Sequence, residues 1–101
     1  LRTTDMLNSK QRAMLRSMAN EMAPIMQVGK SGIGEELILS VSNALEAREL
    51  IKGTILQNCP LTTREAITEL CEGANAEPVQ CIGRRFVMYR ESRKNKQIIL
   101  D

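Results

Sequence analysis

The chain is 101 residues long, 43% of them hydrophobic, and its net charge is only +2. It therefore has room for one domain with a single modest core. No apolar run approaches the roughly 18 residues that a membrane span requires, and the N-terminus shows no export-signal pattern. Histidine is absent, which excludes Ser-His-Asp and Cys-His catalysis and most mixed zinc sites.

Cys59, Cys71 and Cys81 are odd in number and include no C-x-x-C pair. This spacing argues against a disulfide framework. We therefore expect buried, reduced cysteines in a cytoplasmic protein.

The segment 9–22 predicts a first helix, capped by Asn8 or Ser9 and ended by Pro24. Five apolar residues recur on one face of this helix: Met14, Leu15, Met18, Ala19 and Met22. This spacing is what a buried face requires, so the methionines are expected to pack in the core.

A short strand is predicted over 24–29, with Ile25 and Val28 as core anchors. A glycine-rich loop then leads into a second, amphipathic helix that starts near Ile33 or Gly34.

The β-branched run at 50–56 predicts the second strand, and Thr62 with Glu65 forms a capping box that starts a third helix. Two short strands, 78–83 and 86–90, enclose a glycine-arginine turn. The order α-β-α-β-α-β-β predicts an α/β fold. We expect a small two-layer sandwich whose final hairpin makes the sheet mixed.

The loop Gly29-Lys30-Ser31-Gly32 invites two functional interpretations. A nucleotide-binding P-loop needs a glycine five positions before Gly29, where this chain has Pro24, which lacks an N–H. A G-x-x-G clamp fits better, because the glycines let phosphates approach the main chain and the following helix N-terminus attracts anions. A tight strand-to-helix turn is the plain structural alternative.

Five segments carry a resemblance to a known family; they are LNSKQRAMLRSMA, PIMQVGKSGI, ALEARELIKG, VQCIG and MYR. From about Leu7 to Arg90 the chain resembles the YhbY/YqeI proteins, whose fold is the CRM domain (chloroplast RNA splicing and ribosome maturation). The resemblance implies a compact α/β fold similar to the C-terminal domain of translation initiation factor three. It also implies RNA binding through the G-x-x-G loop and nearby basic residues, and association with precursors of the large ribosomal subunit in bacteria. Gly53 and Cys81 depart from the family's usual residues and are expected to be tolerated packing changes.

Six further basic residues are candidates for RNA contact: Lys10, Arg12, Arg16, Lys52, Arg84 and Arg85. Each of these residues also has a plain structural explanation. Lys10, Arg12 and Arg16 would lie on a solvated helix face, Lys52 would point to solvent from a strand, and Arg84 and Arg85 would keep a hairpin tip soluble. Arg93, Lys94 and Lys96 are typical of a flexible basic arm, but the polar-then-apolar tail over 92–101 leaves open whether it adds a strand or dangles. Glu35 and Glu36, in the first turn of the second helix, would repel a phosphate unless they point away from it.

We therefore expect residues 7–91 to form the domain and 92–101 a polar, basic tail, with 1–6 a disordered or non-native start. The favoured function is RNA binding that assists ribosome assembly, by a monomer in the cytoplasm. No catalytic residue, metal, organic cofactor, small-molecule substrate or membrane contact is expected. The main alternative is a protein-interaction module whose basic face docks an acidic partner. A third possibility is non-specific binding to any nucleic acid, which predicts equal affinity for duplex DNA.

Overall fold

The computed structural model describes residues 7–94 and 96–100, so the predicted start over 1–6 lies outside the described residues. Seven elements follow the predicted order: α1 Ser9–Ala19, β1 Met26–Val28, α2 Glu35–Arg48, β2 Leu50–Ile55, α3 Thr63–Ala74, β3 Glu77–Ile82 and β4 Arg85–Tyr89. The predicted α/β class and element order are confirmed.

The four strands form one mixed sheet in the order β1-β2-β4-β3. β1 and β2 are parallel and connected through α2, whereas β4 runs antiparallel to both β2 and β3. A register shift between Pro78 and Gln80 interrupts the ladder of the edge strand β3.

Alternate residues of the strands face two separate cores. Ile51 and Met88 pair across β2 and β4 and pack beneath α2 and α3, whereas the neighbouring pair, Leu50 and Tyr89, packs with α1. Because successive side chains point to opposite faces of a sheet, α1 lies on the face opposite α2 and α3. The helix layer of the sandwich is formed by α2 and α3, and α1 covers part of the other face of the sheet.

The methionine stripe of α1 was predicted to be buried, and this was wrong for Met14 and Met18, which are each 40% exposed. Leu15 and Ala19 form the buried line instead. Positions 14 and 18 precede that line by one residue, about 100° around the helix, so their side chains lie on its flank. Met22 packs against this core from beyond the end of α1.

Two other burial predictions were wrong in part. Ile25 precedes β1 and is 41% exposed, whereas Val28 is buried as expected. Cys71 is buried, but Cys59, in the loop after β2, and Cys81, in the edge strand, are only half-buried. All three thiols are free.

The C-terminal segment folds back on the domain, so the prediction of a flexible arm was wrong. The buried Glu49 carboxylate accepts hydrogen bonds from the backbone N–H groups of Ser92, Gln97 and Ile98, at 2.7, 2.9 and 2.6 Å. Ile98 joins the core beneath α1. A buried carboxylate requires such donors, and the tail supplies them.

Candidate nucleic-acid interface

The G-x-x-G loop closes as a tight turn between β1 and α2. The Gly32 N–H donates to the Gly29 carbonyl oxygen at 3.0 Å. Gly32 has a φ of 69°, a left-handed conformation that favours glycine. Lys30 and Ser31 stand between them with exposed side chains. The loop therefore offers one cation and one hydroxyl group to solvent.

The helix that follows this loop begins without a side-chain cap. Its N-cap, Gly34, is extended and contributes no side-chain hydrogen bond, so the first-turn N–H groups have no cap acceptor at the positive end of the helix dipole. α3 is closed by the predicted capping box, in which Thr62 and Glu65 each accept the other's backbone N–H. Glu35 and Glu36 are exposed in the first turn of α2.

The register of the sheet brings the hairpin arginines to the same end as the G-x-x-G loop. The Leu56 N–H donates to the Val28 carbonyl at 2.8 Å, and the Ile55 N–H donates to the Arg84 carbonyl at 2.7 Å. Only the end of β2 therefore separates the loop from Arg84 and Arg85, two inter-strand spacings or about 10 Å away. Both arginine side chains are exposed.

Contacts between loops brace this end of the molecule. The Thr63 hydroxyl donates to the Gly83 carbonyl at 2.7 Å and ties the β3-β4 hairpin to the start of α3. The G-x-x-G loop lies beside the segment after β2, because a Cβ atom added to Gly29 would lie 3.4 Å from the Leu56 Cδ1 and one added to Gly32 would lie 3.9 Å from the Pro60 Cγ. We call the G-x-x-G loop, residues 56–62 and the hairpin residues 83–85 the loop end of the sheet.

The basic residues of α1 form a separate group. The Arg12 Nε donates to the Pro78 carbonyl at 3.5 Å, beside the start of β3 and therefore at the opposite end of the sheet. Arg16 lies one turn further along the same side of α1 and is half-buried, and Lys10 is exposed in the first turn. We therefore leave these three side chains outside the candidate interface.

Lys52 has a structural partner inside the fold. Its Nζ donates to the carbonyl oxygens of Ala19 and Met22, at 3.1 and 3.2 Å. These carbonyls lie at and just beyond the C-terminus of α1, where the helix dipole favours a cation. Because a phosphate contact would have to replace these hydrogen bonds, Lys52 is also left out.

Comparisons with known proteins identify the family. The family model of the CRS1/YhbY (CRM) domain matches residues 7–90. The chain belongs to this family. The resemblance inferred from five segments of sequence is therefore confirmed, over the span on which it was based.

Two relatives and one solved structure are similar to this chain over nearly its whole length. The chain is 46% identical over 95 residues to the probable RNA-binding protein YqeI of Bacillus subtilis, covering 94% of this chain and 99% of that protein. It is 31% identical over 90 residues to an RNA-binding protein of Haemophilus influenzae, covering 89% and 91%. The solution structure of SAV1595 from Staphylococcus aureus matches with a TM-score of 0.69 and 44% identity, covering 95% of this chain and all of that one.

Sequence reasoning missed two polar side chains beside the loop end of this CRM domain. Gln27 pairs with Thr54, and Thr54 pairs with Arg85, so the three side chains share the face that carries α1. The signal was present in the sequence, because Gln27 is the one polar residue of β1 and Thr54 alternates with Lys52 along β2. A role for these two side chains could be inferred only from the structure, which shows the part of the sheet face that α1 leaves uncovered.

Within residues 7–94 and 96–100, no group of three or more His, Cys, Asp or Glu side chains is placed to hold a metal ion. No helix in that part of the chain is long and apolar enough to cross a membrane.

Proposed function

We propose that this CRM domain binds RNA phosphates at the loop end of the sheet and, as a cytoplasmic monomer, assists assembly of the large ribosomal subunit. One observation carries the proposal: the exposed side chains of Lys30, Arg84 and Arg85 lie at the same end of the sheet, and Lys30 lies in the loop that leads into the uncapped start of α2. None of the three forms an ion pair with another residue that the structure describes.

The proposed contacts follow from the geometry of the loop. The first-turn N–H groups of α2, the Lys30 ammonium and the Ser31 hydroxyl hold one phosphate. Arg84 and Arg85, about 10 Å across the sheet, hold neighbouring phosphates of the same strand. Phosphate contacts fix register and orientation but carry no base sequence, so this part of the site recognises backbone and shape.

The relatives support the class of partner. Two of them are named as RNA-binding proteins, and they match almost the whole of this chain. The finer assignment to ribosomal RNA and large-subunit precursors rests on the family resemblance alone.

The test is binding of the Lys30→Asp, Ser31→Asp variant to ribosomal RNA fragments. Both glycines remain, so the turn is retained, and circular dichroism checks the fold. We expect affinity to fall about tenfold or more, since charge-assisted hydrogen bonds are removed and repulsion is introduced. The salt dependence should also become shallower, by roughly 0.7 in log–log slope for each phosphate of a single strand that the variant no longer neutralises.

The adjacent pair Ser9 and Lys10 provides a matched control. The Ser9→Asp, Lys10→Asp variant makes the same change of charge at the start of α1, outside the proposed interface. It should bind RNA nearly as well as the wild type. Equal losses in both variants would indicate a diffuse charge effect, and unchanged binding by the loop variant would contradict the proposal. Stronger binding to an acidic protein than to RNA would favour the protein-interaction alternative.

A further inference from the structure

We propose that the open part of the sheet face beside the G-x-x-G loop holds an unpaired RNA base, so that the site selects single-stranded RNA over duplex. This inference deepens the proposed function and rests on it. It adds a base-binding recess, which the phosphate contacts alone do not require.

The recess is a row of side chains across three strands. The register Gln27–Thr54–Arg85 places one residue each from β1, β2 and β4 side by side on one face. Pro24 and Ile25 complete the wall of this shallow depression. Gln27 and Arg85 are exposed and Thr54 is half-buried, so the row is open to a ligand.

α1 does not reach this row. The strand residues that share its core on this face are Leu50, Val79, Val87 and Tyr89, and all of them lie further from the loop end than the row does. Lys52, which points to the same face, marks the edge of the covered area by binding the last carbonyls of α1. The sheet is thus covered at one end and open at the end where the phosphate loop lies.

The polar groups in the row are free to recognise a base. None of the side chains of Gln27, Thr54 and Arg85 makes a hydrogen bond or ion pair with another residue in the described part of the chain. Together they offer an amide, a hydroxyl and a guanidinium, hence both donors and acceptors. Base edges carry the complementary donors and acceptors, whereas a phosphate accepts only.

Flat apolar contact is also available beside the row. Ile25 is 41% exposed at one side, and Ile82, which pairs with Arg85, is 63% exposed at the other. The chain's two aromatic side chains, Phe86 and Tyr89, are buried and cannot stack on a ligand. Stacking would therefore use these aliphatic surfaces, and the Arg85 guanidinium keeps its N–H donors for the base edge and the neighbouring phosphate.

The recess adjoins the proposed phosphate site along the chain. Gln27 precedes Gly29 by two residues, about 7 Å along an extended strand. A nucleotide whose phosphate lies on the G-x-x-G loop can therefore direct its base onto the row. Duplex RNA cannot do so, because its bases are paired and stacked and its deep groove does not admit side chains.

The Gln27→Leu, Thr54→Val variant tests this inference without changing the net charge. Three probes are compared: a single-stranded oligoribonucleotide, the same strand annealed to its complement, and the same strand carrying abasic sites. The wild type should bind the single strand about tenfold more tightly than the other two. The variant should lose most of this preference while binding duplex as the wild type does, since only base contacts are removed.

Asn43→Leu with Thr68→Val makes the matched change on the exposed surfaces of α2 and α3 and should keep the preference. Thermal unfolding checks that all variants fold. Equal affinity of the wild type for the three probes, or a preference that survives in the recess variant, would overturn the inference and leave RNA binding by the loop intact. Failure of the proposed function is distinguishable, since the wild type would then bind none of the probes.

Discussion

Gly53 leaves the space that the Phe86 ring fills at the centre of the sheet. A Cβ atom on Gly53 would lie 2.9 Å from the Met26 Cγ and closer still to the ring of Phe86, which is fully buried. The family resemblance predicts a β-branched residue at position 53. The glycine and the phenylalanine are therefore a coupled packing solution and not two independent choices.

We expect Gly53→Val to lower the free energy of unfolding by about 3 kcal/mol, because the added methyl groups overlap buried atoms that cannot move freely. Phe86→Leu should recover part of this loss in the double variant. Urea unfolding of the wild type, both single variants and the double variant gives the coupling energy. Additive effects, or a single valine variant as stable as the wild type, would contradict this account.

Glu49 is the buried acceptor that holds the tail, and it has the unusual φ of 67°. Glu49→Ala should lower the free energy of unfolding by about 3 kcal/mol, because the N–H groups of Ser92 and Ile98 lose their acceptor where water does not reach. Glu49→Gly loses the same carboxylate but accepts the positive φ, so it should be more stable than the alanine variant by about 1 kcal/mol. Urea unfolding measures both differences. Glu72→Ala, at an exposed position of α3, is the control.

At the scale of elements, the tail is joined to α2 by a second carboxylate. Glu46 accepts hydrogen bonds from the Ser92 hydroxyl at 2.7 Å and from the Arg93 and Lys94 N–H groups at 3.1 and 3.2 Å. These bonds, the one from Ser92 first, lower the pKa of Glu46, and Arg90 contributes through its charge. The ionised form of Glu46 is thus favoured in the folded protein.

This lowered pKa predicts a dependence of tail docking on pH. The stabilisation is present above the pKa that Glu46 has in the unfolded chain, and it is lost as the pH falls through the lower pKa of the folded state. Ser92→Ala should raise the pKa of Glu46 towards its ordinary range and weaken the loss of stability in acid. Carboxyl ¹³C NMR titration of Glu46 in both proteins measures the shift. An unchanged pKa in the variant would contradict the assignment to Ser92.

Local chemistry in the sequence was enough to predict the element order and the caps. Thr62 and Glu65 form the capping box that their spacing predicted, and Asn8 caps α1 in the same way. The errors concern relations between elements. Periodicity shows that α1 has an apolar face but does not distinguish the line that contacts the sheet from its flank, so Met14 was misplaced. The position of the tail depends on its hydrogen bonds to Glu49, which lies 43 residues before Ser92 in the sequence. No local sequence pattern reveals a contact over that separation.

At the scale of the whole molecule, the candidate cations divide by their position on the sheet. Every one of them could be named from the sequence, because charge and glycine patterns are local. Which of them share a surface is decided by strand order, and the order β1-β2-β4-β3 puts Arg84 and Arg85 beside the G-x-x-G loop. In the same topology Arg12 lies at the opposite end of the sheet, and the Lys52 side chain binds the C-terminal end of α1.

The central claim is that the loop end of the sheet binds RNA. Titration of ¹⁵N-labelled protein with a ribosomal RNA fragment, followed by amide chemical shifts, tests it most directly because every region of the fold is observed at once. We predict that the largest changes fall within residues 27–34, 54–58 and 82–85, with the outer faces of α2 and α3 unaffected. Changes concentrated on α1 or on α3, with residues 29–32 unmoved at saturation, would contradict the account.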